Sequence, residues 1–95
     1  MINTAKQLYD DISKHLKPNT KRPELGEFMT LKLYGDENKV EFSRGWYDIF
    51  IVTFRPQTIG VKLHKTDKST KEAKTISKSL PLDQPNLLDT LLDLL

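Results

Sequence analysis

The run Trp46-Tyr47-Asp48-Ile49-Phe50-Ile51-Val52-Thr53-Phe54, followed by Arg55-Pro56-Gln57-Thr58 and then Ile59-Gly60-Val61-Lys62-Leu63, decides how this chain folds. Side chains alternate across a strand with period two, so Tyr47, Ile49 and Ile51 share one face while Phe50, Val52 and Phe54 share the other. Only Asp48 and Thr53 interrupt an apolar pattern on both faces, which marks an interior strand. Pro56 presets the backbone angle of a turn. Beyond it, Ile59, Val61 and Leu63 alternate with Gly60, Lys62 and His64, as expected of a hairpin partner with one solvated face.

Working outward, Glu27 to Tyr34 alternates Met29, Leu31 and Leu33 against Phe28, Thr30, Lys32 and Tyr34, with the first set toward the core. The turn Gly35-Asp36-Glu37-Asn38 leads to Lys39–Ser43, which buries Val40 and Phe42. Arg44-Gly45 is a link short enough to keep the next strand antiparallel. The expectation is a four-stranded antiparallel meander.

Helices flank this meander. Ile2, Ala5, Leu8, Tyr9, Ile12 and Leu16 fall within about 120° of a helical wheel. Thr4 and Gln7 have the spacing of a capping box, and Pro18 stops the helix. The segment that follows, with Lys17, Lys21 and Arg22, has no periodicity and reads as a solvated connector. Between Lys65 and Leu80 the pattern admits two readings. As a helix, Ala73, Ile76 and Leu80 group opposite Lys71, Lys74 and Lys78, Ser69 and Glu72 have capping-box spacing, and Pro81 ends the element. As a fifth strand, Lys74, Ile76, Lys78 and Leu80 share a face that mixes charge with apolar groups. The helix is the expectation for residues 70–80. A further helix begins near Pro85 and carries Leu87, Leu88, Leu91, Leu92, Leu94 and Leu95 over Asn86, Asp89, Thr90 and Asp93. The fold expected is therefore α+β in a single domain over residues 1–95: an N-terminal helix, a four-stranded antiparallel meander and two C-terminal helices.

With 95 residues, 37% hydrophobic and 29% charged, the chain is of ordinary globular composition. Its net charge of +2 does not by itself imply a nucleic-acid or membrane partner. The absence of cysteine removes disulfides, thiolate catalysis and cysteine-ligated zinc. Neither a signal-peptide segment nor an apolar run of membrane-spanning length is present, so a cytoplasmic protein is expected.

Chemistry needs convergent groups, and few are visible. His15 and His64 lack a second ligand at metal spacing. Asp36-Glu37-Asn38 is a turn without the oxygen pattern of a calcium loop. The glycines form no phosphate-binding motif. Asp48 is expected at the open end of its strand, meeting Arg44 or water. No catalytic residue, metal or cofactor is indicated, and the chain reads as non-enzymatic. Leu88-Asp89-Thr90-Leu91-Leu92 matches an LxxLL string, which any leucine-rich helix produces and which core packing explains.

Two functional expectations follow. The first is a protein-binding module of accessory, inhibitor or adaptor type, engaging another protein or itself. Its interface is either a sheet face carrying Phe50, Val52 and Phe54, with Ile49 and Ile51 meeting the helices, or the leucine helix with Leu91, Leu92 and Leu95. The second is an electrostatic RNA- or DNA-binding domain. From Phe54 to Lys78 the chain carries seven cations against Asp67 and Glu72, a net +5. Arg55, Lys62, Lys65, Lys71, Lys74 and Lys78 would meet phosphates, without interleaved aromatic residues for base stacking. The order of helix, strands and helix, with Lys65-Thr66-Asp67 leading into the helix expected there, resembles the small RNA-binding subunits of the signal recognition particle. The resemblance implies RNA contact; the extra strand and leucine-rich tail depart from it.

Overall fold

A computed structural model describes residues 2–15 and 28–95, apart from the side chains of Phe28 and Met29. Helix α1 spans Ala5–His15. Five strands follow: β1 Phe28–Tyr34, β2 Lys39–Arg44, β3 Asp48–Phe54, β4 Thr58–Thr66 and β5 Ala73–Pro81. A short helix, α2, covers Leu87–Leu92. The strands form one antiparallel sheet in chain order, β1-β2-β3-β4-β5. Four of these strands and both terminal helices follow the periodicity of the sequence. The fifth strand replaces the helix expected at 70–80, and Lys17, Lys21 and Arg22 lie outside the described residues.

The register settles which residues share a face, because directly opposed residues of an antiparallel pair point the same way. Val40 and Phe42 lie opposite Val52 and Phe50, which lie opposite Val61 and Leu63. This inner face also carries Phe54 and Ile59, all buried, and Leu31 and Leu33 pack against its margin. The Phe42 and Phe50 rings stack at 4.7 Å between centroids. Onto this face pack Ala5, Leu8 and Ile12 of α1 and Leu87, Leu88 and Leu91 of α2, in one continuous core. Ile49 and Ile51 face the opposite, outer side and are only half-buried. The assignment of faces expected from the sequence is thus reversed: the helices cover the phenylalanine face.

Local chemistry explains the helix start. Thr4 Oγ1 accepts from the Gln7 amide at 3.2 Å, and Gln7 Oε1 accepts from the Asn3 amide at 2.8 Å, a capping box with its return bond one residue early. The Ala5 amide donates to Asn38 Oδ1 at 2.9 Å. Asn38 sits in the left-handed region at φ 49° after a single 3-10 turn, Gly35–Glu37. It also donates from Nδ2 to the Phe54 carbonyl and accepts the Phe54 amide on its own. One asparagine therefore joins the start of α1, the β1–β2 turn and the end of β3.

The segment 67–72 is a hairpin turn, not the start of a helix. Asp67 Oδ1 accepts from the Ser69 and Thr70 amides at 2.8 and 3.0 Å. Lys71 takes φ 65°, and the Asp67 amide bonds to the Glu72 carbonyl to open the β4–β5 ladder. Ser69, read with Glu72 as a helix cap, joins an Asx turn made by Asp67 instead. With a strand in this place, the resemblance to the signal recognition particle subunits loses the helix on which it rested.

Candidate binding surface

The surface divides into three parts. The first is β5, which pairs with β4 on one side. Among the described residues no strand pairs with its far edge. All nine residues are exposed except Ile76 and Leu80, which are half-buried against the core margin. Lys74, Ile76, Lys78 and Leu80 lie opposite Lys65, Leu63, Val61 and Ile59, so they share the inner side of the sheet. Thr75, Ser77 and Ser79 lie on the outer side. Alternating lysines are tolerated here because an edge lets their chains swing past the sheet into water.

The second part lies at the end of the sheet where the turns after β2 and β4 meet. The Thr66 amide donates to the Tyr47 carbonyl at 2.7 Å and holds the two turns together. Trp46 is 54% exposed, the most open large apolar side chain among the described residues. Lys71 Nζ sits 4.6 Å from its ring centroid, Lys68 Nζ sits 4.4 Å from that of Tyr47, and the Arg44 guanidinium lies 5.7 Å from the same tyrosine. Gly45, at φ 57°, makes the turn that presents Trp46. Beneath, Arg44 donates twice to Asp48 Oδ2, at 2.6 and 3.0 Å, which accounts for a carboxylate buried at the end of β3. Of the two partners expected for Asp48, Arg44 or water, it meets Arg44, and it is buried where the sequence predicts an open strand end.

The third part is the outer face. Tyr34 is covered by Lys39 Nζ at 4.6 Å, and Lys39 pairs with Glu37 at 2.8 Å. The Glu37 carboxylate raises the Lys39 pKa above the ordinary lysine value. His64 Nδ1 meets Thr75 Oγ1 at 2.9 Å, and Thr30 and Ser43 join their hydroxyls. A shallow depression of about 400 Å³ lies among Ile51, Thr53, Arg55, Gly60, Lys62 and His64.

The residues singled out from the sequence are therefore dispersed. Phe50, Val52, Phe54 and Leu91 are buried in the core. Leu92 and Leu95 pack half-buried against it. Neither set forms an open apolar patch. Of the cations, Lys71 lies over Trp46, and Lys74 and Lys78 follow along β5. Arg55 and Lys62 are on the outer face, and Lys65 donates to the Leu95 main-chain oxygen at 2.6 Å. The sequence reading missed Trp46 and Lys68, which come together with Lys71 only once two turns dock. Among the described residues no three histidine or acidic side chains converge in a way that could hold a metal ion, and no helix is long and apolar enough to cross a membrane.

No family model, curated protein or solved structure matches this chain.

Proposed function

We propose that this chain is a non-enzymatic protein-binding module that receives a partner segment along β5. One observation carries the reading. A nine-residue strand has its far edge unpaired among the described residues, and its Ala73 end adjoins the lysine that covers an exposed tryptophan. An unpaired strand edge offers alternating N–H and C=O groups, which an extended segment satisfies by joining the sheet. Trp46 supplies the aromatic side chain that anchors many protein interfaces.

Adjacent residues of an antiparallel strand direct their backbone groups alternately toward and away from the neighbour. Of Ile76→Pro and Ser77→Pro, one removes an N–H aimed at β4 and the other an N–H aimed at solvent. The first variant loses stability. The second keeps the far-ultraviolet circular dichroism of the parent and loses the protein partner retained from the native source. If the folded variant with the solvent-directed proline retains that partner, the reading falls.

The Trp46, Lys68 and Lys71 cluster favours a second reading, a site for single-stranded nucleic acid with a base on Trp46 and phosphates on the lysines. Its signature is oligonucleotide affinity that falls steeply with added salt and is lost in Trp46→Ala. No retention at low salt disposes of it.

A further inference from the structure

We infer that the segment β5 receives is an extended acidic strand of another protein, with two carboxylates four residues apart and an apolar residue midway between them. The inference rests on the proposed function and specifies the partner's chemistry. Ala73–Pro81 contains Lys74 and Lys78 and no acidic residue. Both lysines are exposed, both lie on the inner side of the sheet, and half-buried Ile76 stands between them on that side.

Three occupants compete for this edge, and charge and hydrogen-bonding chemistry separate them. A second copy of the chain, pairing β5 with β5 about a two-fold axis, brings four ammonium groups onto one side of the ribbon with no counter-charge on either strand. Like charges on facing strands are destabilising, and lysines at a sheet edge are a recognised guard against self-pairing. A nucleic acid meets the lysines, but its phosphates are acceptors only, so they leave the edge carbonyls without donors. An acidic strand answers both requirements. Its backbone completes the ladder, its carboxylates face Lys74 and Lys78, and its middle apolar side chain covers Ile76 at the core margin. The four-residue spacing follows from the spacing of the lysines in either strand direction.

The test uses the full chain and a synthetic nonapeptide, Thr-Val-Thr-Glu-Thr-Val-Thr-Glu-Thr, with two controls. One control has lysine in place of glutamate, and the other has the same composition with the two glutamates moved to adjacent positions. Amide hydrogen exchange followed by NMR reads the site. The acidic peptide is expected to slow exchange of the solvent-directed β5 amides about tenfold or more, with neither control doing so. The double variant Lys74→Glu with Lys78→Glu, whose side chains are exposed, is expected to keep the fold, to weaken the acidic peptide about tenfold or more, and to accept the lysine peptide instead. The inference is overturned by any of four results: no binding at millimolar peptide, protection elsewhere in the molecule, unchanged affinity in the double variant, or protection of β5 by an oligonucleotide but not by the peptide. If the native partner is lost with the outward-facing proline but survives the double charge reversal, the acidic strand is wrong and strand addition stands. If it survives the outward-facing proline, strand addition itself is wrong.

Discussion

Strands β3 and β5 belong to the same sheet and direct apolar residues to its inner side, yet they meet opposite environments. In β3 the inner-side positions are all buried and the outer-side positions half-buried; in β5 no residue is fully buried. The difference lies in their neighbours. Each face of β3 is flanked by two strands, and its inner side is overlaid by the helices, so alternation becomes burial. On β5 the inner side has one neighbouring strand, and Lys78 can stand in line with Val61 and Val52. Position in the sheet, more than local composition, decides how much each side chain contributes to stability.

The largest expected effect tests this contrast directly. Phe50→Ala removes a fully buried ring that stacks on Phe42, and is expected to cost about 3–5 kcal/mol. Ile76→Ala, at the equivalent inner-side position of β5, is expected to cost only about 1 kcal/mol because the site is half open to water. Urea unfolding of the two variants measures both. Equal losses would mean that β5 is covered as fully as β3.

A second prediction concerns the joint that holds the β3 end of the sheet to α1. Asn38→Ala deletes the acceptor for the Ala5 amide and the donor to Phe54, and it forces alanine into the left-handed region. Together these changes are expected to cost about 2–3 kcal/mol, between the phenylalanine and isoleucine losses. Asn38→Gly removes the conformational strain while still lacking the side-chain bonds, so it should recover about 1 kcal/mol of the loss in the same unfolding measurement.

Why β3 and β4 were legible and β5 was not has a simple geometric cause. Ile49, Phe50, Ile51 and Val52 are β-branched or aromatic without a helical gap, and Ile59, Val61 and Leu63 are separated by twos, which no helix accommodates. Ile76 and Leu80 are four apart, and four residues make both about one helical turn and two strand repeats. Ala73 then completes a helical stripe by coincidence, and lysine at 74 and 78 hides the strand. The face assignment failed for another reason. Both sides of β3 are apolar, so the strand alone cannot say which is inner; the register with Val40, Phe42, Val61 and Leu63 does. The candidate surface was less legible still. Trp46 meets Lys71 across 25 residues through the docking of two turns, and neither turn's sequence names the other.

The smallest expected effect lies in the turn that leads into β5. Asp67 accepts backbone hydrogen bonds from Thr70 and Ser69, which hold its carboxyl pKa below the ordinary aspartate value. A depressed carboxyl pKa stabilises the folded turn at pH above the unfolded value of about 3.9, and that stabilisation is lost as pH falls through the folded value. The loss should therefore appear as loosening of segment 67–72 below about pH 4, without a matching change in β3. NMR titration of the Asp67 carboxyl carbon, with the amide shifts of Ser69 and Thr70, measures it. Asp67→Asn keeps the amide-oxygen acceptor, so it should preserve the turn at neutral pH and remove its acid sensitivity. Asp67→Ala should loosen the turn at every pH and release Lys68 and Lys71 from the tyrosine and tryptophan rings, while leaving the buried alternation of β3 intact.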